Sequence, residues 1–373
     1  MRRSVLASFS ILALLPAVIA VGSPFGFASG TTGGAGGTTV TPTTTAELLT
    51  YLSDGTARTI ILNKIFDFTN YYGTSTGKVC SPWTCTNGFT PQRAIDLINW
   101  CDPSAPTGTA TYYNSGTANY YSLKVGSNKT ILGQGSGGGI KGIGLYINDA
   151  TNVIVQNIQI TDINPSFVWG GDAISIIGSS KVWIDHNYIA RVGRQFVVTG
   201  FDPAQSVTIS NNLFDGTTSW SASSDTITVA QNYIKNTSGR GPHIGYDGGY
   251  QYVHLVNNYY ENVQGHAIDA AAGTQVLVEG NYFNKVTTID TGNADGSEYF
   301  VATVDQAGTP CSSTIGRYCE WNKSAGSGAI PNRASTSVMT ALKAYSAVKG
   351  YTPKSVNDVQ AYVIANAGVG KVN

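Results

Sequence analysis

The sequence predicts an all-β protein, a single-stranded parallel β-helix with short capping helices at its termini. Three observations carry this. An apolar strand of the type V-x-I recurs at Val153, Val182, Val207, Ile227, Val253 and Val276, at intervals of 29, 25, 20, 26 and 23 residues. From Val182 onward, an asparagine stands five residues after each anchor, at Asn187, Asn212, Asn232, Asn258 and Asn281. A composition of 44 glycines and 12% charged residues suits many short strands and turns. Self-similarity at twenty to thirty residues marks a solenoid, and alternating apolar positions make its elements strands.

Taking the elements in order, residues 1–20 read as a secretory signal: Arg2 and Arg3, an apolar run from Val5 to Ile19, and small Ala20 at the cut. Residues 21–373 form one elongated β-helical domain, since no linker divides them. Thr44 and Glu47 have capping-box spacing at the start of "TAELLTYL". Pro91 is placed to open a helix over "QRAIDLINW". "STSVMTALKAYSAV" and "SVNDVQAYVIANA" read as amphipathic helices that cover an end of the solenoid. Between the anchors run second strands: "AISII", "FVVTG", "HIGY" and "AIDAA". The short interval from Val207 to Ile227 holds only "DGTTSWSASSD" there, so one coil around 213–226 reads as incomplete. The phased asparagines suit turns that need left-handed backbone, and stacked amides can form a ladder. Asn157 falls one place early.

Lys+Arg and Asp+Glu are both 22, giving no net charge. This argues against a nucleic-acid binder, and no stretch reads as a membrane span. A monomer without cofactor or metal is expected. Of five cysteines, Cys311 and Cys319 are close enough for a local loop, and two of Cys80, Cys85 and Cys101 can pair. Sequons at Asn128, Asn236 and Asn322 are candidate glycosylation sites.

Three charged residues precede second strands at equivalent places: Asp172 before Ala173, Arg194 before Phe196, and Arg240 before His243. Neighbouring coils lie about 4.8 Å apart, so Asp172 and Arg194 should touch, with Arg240 two coils further on. Asp185 and His186 of "WIDH" read as structural hydrogen-bonding groups, and the histidines show no metal-ligand clustering.

"VWGGDAISI", "VWIDHNYIARVGRQ" and "NTSGRGPHIG" resemble segments of the pectate lyase superfamily, most of all its secreted fungal and oomycete pectin lyases. The resemblance covers nearly the whole mature chain. It implies a right-handed parallel β-helix that cleaves methyl-esterified polygalacturonan (pectin) by β-elimination. It gives Arg240 the role of base at sugar C5, or of enolate stabiliser, and makes Asp172 and Arg194 further functional positions. Trp169 resembles a cleft tryptophan that stacks on sugar, and Trp220 sits at the equivalent place in the short coil; Trp83 and Trp100 could wall the cleft. The resemblance pairs Cys80 with Cys101 and Cys311 with Cys319, leaving Cys85 without a partner. Similar pectin lyases carry a cysteine and a His- and aromatic-rich strand where this chain is short. Pectate lyases hold calcium through clustered acids, whereas here Gly170 stands two before Asp172, and Gly245 replaces a second arginine. A calcium-dependent pectate lyase and an impaired β-helix that only binds pectin are the alternatives.

Overall fold

The computed structural model describes residues 22–82, 91–115, 122–200, 202–216, 226–237, 239–245, 251–271, 273–292 and 297–372. The signal segment 1–20, Trp83, Cys85 and Trp220 lie outside the described residues.

The anchors form one sheet of ten strands, running from Thr38–Val40 to Ser297–Phe300. Their register is the one the repeat predicts: Val153, Val182, Val207, Ile227, Val253 and Val276 face one another in sequence. Each pairing is parallel, so each turn of chain lays one strand beside the last. A second parallel sheet holds the strands after each asparagine, including Gln159–Ile163, Tyr188–Val192, Leu213–Asp215 and Tyr233–Lys235. Apolar side chains at alternate positions fill the bore, and Ile154 and Trp183 face outward under Ala28.

The asparagines are all buried and bonded to one another. Nδ2 donates to the next coil's Oδ1 from Asn187 to Asn212 (2.9 Å), Asn212 to Asn232 (3.0 Å), Asn232 to Asn258 (2.9 Å), Asn258 to Asn281 (2.9 Å) and Asn281 to Asn322 (3.1 Å). The left-handed backbone is elsewhere than expected. It falls on the residue before each ladder asparagine: His186 (φ 53°), Asn211 (51°), Gln231 (59°), Asn257 (54°) and Gly280 (62°). That division explains the early Asn157, which is itself the left-handed residue (φ 58°), with Ile158 in the ladder position. In Asn232→Ala, the N–H groups of Asn212 and the carbonyl of Ile209 lose a buried partner. The expected cost is about 3 kcal/mol. Denaturant unfolding checks this, and a loss under about 1 kcal/mol would show the ladder to be dispensable.

The ladder also corrects one sequon. Asn322 is its last member, is 1% exposed, and donates through Nδ2 to Val278 and Val301 carbonyls, so the folded chain offers no amide there for a glycan. Asn128 and Asn236 are exposed, and their Oδ1 atoms accept from Asn152 and Asn262.

The ends differ from the expected plan. Helix Thr45–Ser53 does cap the bore, placing Leu48 and Leu52 in the main core. Thr44 accepts from Glu47 N–H, but the Glu47 carboxylate reaches back to Thr43 N–H rather than to Thr44. The C-terminal helices lie along the flanks. Thr336–Leu342 covers Leu277 and Tyr299, and Val356–Asn366 covers Tyr259 through Val359 and Val363. Outward apolar side chains on those strands give the helices a surface to bury. The helix expected after Pro91 is instead a strand, Arg93–Ile95, followed by the 3₁₀ turn Leu97–Asn99. Pairing of Arg93 and Ala94 with Phe167 and Val168 outweighs the local signal.

A third set of strands, the second strands of the coils, positions the cleft. Leu123–Val125, Leu145–Asn148, Ile174–Ile177 and Val197–Thr199 make one parallel sheet that stops at Val197–Thr199. His243–Ile244 pairs on the far side with Asp269 and Ala270. Among the described residues no strand joins these two, and the short coil of the repeat falls between them. A cavity of about 140 Å³ lies there, lined by Phe196, Phe214, Ile234, Arg240 and His243 among others.

Candidate active site

Asp172 and Arg194 come together as the coil spacing requires. Gly193 N–H donates to the Ile163 carbonyl and Arg194 N–H to that of Gly171, so the two coils lie directly against each other. Arg194 Nη1 is 2.9 Å from Asp172 Oδ2, and Gln195 N–H donates to Asp172 Oδ1 at 3.0 Å. Both carboxylate oxygens therefore have partners. Burial pushes the Asp172 carboxyl up, against the opposing pull of Arg194 and the Gln195 amide.

Trp169 lies against this pair. The Arg194 guanidinium sits 4.5 Å from the Trp169 ring centroid, and Trp100 meets the same ring edge-on at 5.9 Å. Trp169 is half-buried, packed against Trp100 and Arg194. Trp100 arrives on an excursion of antiparallel strands, Thr74–Cys80 and Thr107–Tyr113, which the Cys80–Cys101 disulfide fastens. The second disulfide joins Cys311 and Cys319 beneath the flanking helices.

Arg240 belongs to the coil two beyond Arg194, since the anchors following them are Val207 and Val253, with Ile227 between. Its closest described carboxylate is on the opposite side: Nε is 3.9 Å from Asp269 Oδ2. Burial lowers its guanidinium to about 10, with Asp269 pulling the other way. Asp269 also takes His243 Nδ1 at 2.6 Å and the Thr291 hydroxyl at 3.0 Å, with His266 Nε2 at 3.8 Å. Hydrogen bonding to His243 outweighs desolvation and holds the Asp269 carboxyl down at about 2.

Sequence reasoning missed Asp269 and passed over His243 because it sought metal ligands. The signal was present in the alternation of the two strands. Ile244, Ile268 and Ala270 point into the core, so His243 and Asp269, paired in register, must point out. "WIDH", by contrast, is structural as expected. Asp185 is buried and accepts from Gln156, Ser210 and Asn211, with His186 Nδ1 at 2.5 Å.

The fold and site define the class: a parallel β-solenoid whose second-strand turns carry the Asp172–Arg194 pair against Trp169 and, two coils on, Arg240 beside Asp269. The comparisons narrow it. The family model described as pectate lyase matches residues 105–372. Probable pectin lyase E of Aspergillus fumigatus is 44% identical over the full length of both chains, and pectin lyase D of Aspergillus niger is 41% identical over 98% of each. The chain belongs to the pectate lyase superfamily, within its fungal pectin lyase group. Among solved structures, a pectate lyase of Xanthomonas campestris aligns over 94% of this chain and 99% of its own, with TM-score 0.59 and 22% identity. A Bacillus subtilis pectate lyase variant aligns over 95% and 98%, with TM-score 0.60 and 18% identity. These two share the fold. The alignment with the A. fumigatus protein spans 396 positions against the 373 residues here, so that relative carries more than twenty positions with no counterpart in this chain.

Proposed function

We propose that this chain, once freed of residues 1–20 and secreted, works as a monomer that cleaves methyl-esterified polygalacturonan by β-elimination, without calcium. The observation that carries the reading is the cation beside the acid: Arg194 neutralises Asp172, and Gln195 N–H takes its other oxygen. A bound Ca²⁺ needs six to eight oxygens. A chain with 22 Lys+Arg against 22 Asp+Glu has no net charge to draw in a polyanion, which suits a substrate whose carboxyls are esters. Disulfides support an oxidising, extracellular setting. Among the described residues no helix is long and apolar enough to cross a membrane.

The chemistry follows from the ester. The C5 proton is alpha to the C6 carbonyl, and an ester withdraws more charge than a carboxylate. Removing that proton develops an enolate, which a fixed cation stabilises strongly in a site screened from water. Expulsion of the oxygen at C4 then leaves a C4–C5 double bond. Trp169, with Arg194 behind it, offers an apolar ring face to a sugar.

The test is the ultraviolet absorbance of unsaturated product released from highly methylated pectin. The expected result is turnover that is unchanged by chelator and falls as the pectin is de-esterified. Strict calcium dependence would replace this reading by that of a pectate lyase. The interruption of the second-strand sheet beside Arg240 favours a second reading, an inactive β-helix that binds pectin. Retention on immobilised pectin with no product on any pectin would establish it.

A further inference from the structure

We propose that the short coil between Arg194 and Arg240 is a binding site for a small, neutral, single-ring phenol, with its ring in the bore and its hydroxyl on Gln195 Oε1. This goes beyond the lyase reading and does not depend on it.

The bore loses cover at this coil. Ile184, Ile209, Val229, Leu255 and Val278 are register partners along the anchor sheet. Ile184, Leu255 and Val278 are wholly buried, whereas Ile209 is 8% exposed and Val229 is half-buried. The second sheet repeats the pattern. Along the partners Ile189, Phe214, Ile234, Tyr260 and Phe283, exposure is 8% at Phe214, 5% at Ile234 and zero at the other three. Both sheets therefore open at the place where the third set of strands is interrupted. The cavity of about 140 Å³ found there is lined mainly by such apolar side chains, and two of them, Phe196 and Phe214, stack with centroids 5.7 Å apart. An apolar cavity of about 150 Å³ with aliphatic and aromatic walls takes up benzene. A rigid ring also gives up little conformational freedom on entering.

Two polar atoms narrow the ligand further. Gln195 and Thr237 line the cavity, and Gln195 Oε1 and Thr237 Oγ1 are buried without a hydrogen-bond partner among the described residues. A buried amide oxygen with no donor is costly. The Gln195 backbone N–H is bonded to Asp172, which fixes where this residue sits. A plain hydrocarbon in the cavity would leave the cost in place. A phenol hydroxyl donates to the amide oxygen, and its own oxygen can accept from a threonine hydroxyl. Arg240 and His243 border the same cavity, but the Asp269 carboxylate already lies 3.9 Å from Arg240 Nε and 2.6 Å from His243 Nδ1. A second carboxylate would meet its like charge there, so the site favours a neutral ligand.

Calorimetric titration of the full chain with phenol tests this, read beside toluene and benzoate. Phenol should bind saturably and more tightly than benzoate. Gln195→Met keeps the side-chain length but removes the acceptor. It should weaken phenol about tenfold, the worth of one hydrogen bond in a buried setting, and should not weaken toluene. Val229→Phe fills the void and should abolish binding of both. Circular dichroism checks that the two variants fold. In the wild-type protein, nuclear Overhauser contacts from the phenol ring to the methyl groups of Ile209, Ile227 and Ile234 locate the ligand without any substitution. Absence of saturable phenol binding would overturn the proposal. So would equal phenol affinity in wild type and Gln195→Met, contacts to methyl groups elsewhere, or tighter binding of benzoate. No turnover is read, so a failed titration leaves the lyase reading untouched, and an inactive enzyme leaves this site testable.

Discussion

Arg240→Ala is expected to lose about 10³-fold in kcat on methylated pectin, the upper end of the range for removing one preorganised donor to a developing oxyanion. The argument is electrostatic. In the proposed reaction the enolate develops beside Arg240, whose side chain is 16% exposed, so its charge is only partly screened by water. Its sequence neighbours Gly239, Gly241 and Pro242 carry no charge that could substitute. Arg240→Lys keeps a charge but loses the planar fork, and should retain an intermediate rate. The fold should survive both changes. The pair with Asp269 is long at 3.9 Å, and Asp269 keeps His243 and Thr291. Steady-state rates beside thermal unfolding check this. Undiminished turnover in Arg240→Ala would remove Arg240 from the chemistry.

Glu279→Ala should cause the largest loss of stability, about 3–5 kcal/mol. Glu279 is fully buried on the anchor sheet. Its carboxylate binds His254 Nε2 at 2.6 Å, both terminal nitrogens of Arg317 at 2.5 and 3.0 Å, and the Glu320 N–H at 3.1 Å. Truncation leaves Arg317 without its counter-charge and His254 Nε2 without its buried partner. Desolvation pushes the Glu279 carboxyl up, but His254 and Arg317 together overcome it and hold it down at about 2. A depressed carboxyl contributes stability that is fully present above its unfolded value of about 4.5 and is lost as pH falls from there toward 2. The wild-type unfolding midpoint should therefore drop through that window, and Glu279→Gln should flatten the drop. Urea unfolding between pH 2 and 6 measures both.

Much of the fold was legible in the chain. Identical anchors and in-phase asparagines predict stacked coils because parallel strands place equivalent residues side by side. The juxtaposition of Asp172 with Arg194 followed from coil counting alone. The left-handed turn residue did not, because Asn suits both a left-handed turn and an amide ladder. Only the stacked geometry separates His186 or Gln231 from Asn187 or Asn232. The burial of Asn322 was hidden likewise, since a sequon records nothing about the neighbour its amide meets.

The residues beside Arg240 show where sequence reading stopped. Asp269 stands 29 positions after Arg240 in "AIDAA", a stretch that reads as plain core. Its meaning depends on register: a shift of one residue would turn Asp269 into the bore and Ile268 outward. The long strand Tyr259–Ala270 runs through a corner, with a register irregularity between Val263 and His266, before its end meets His243. Repeat and motif are local properties of the chain, so they could be read in one dimension. The partner of Arg240 is set by how one coil turns onto the next, and only the packed solenoid decides it.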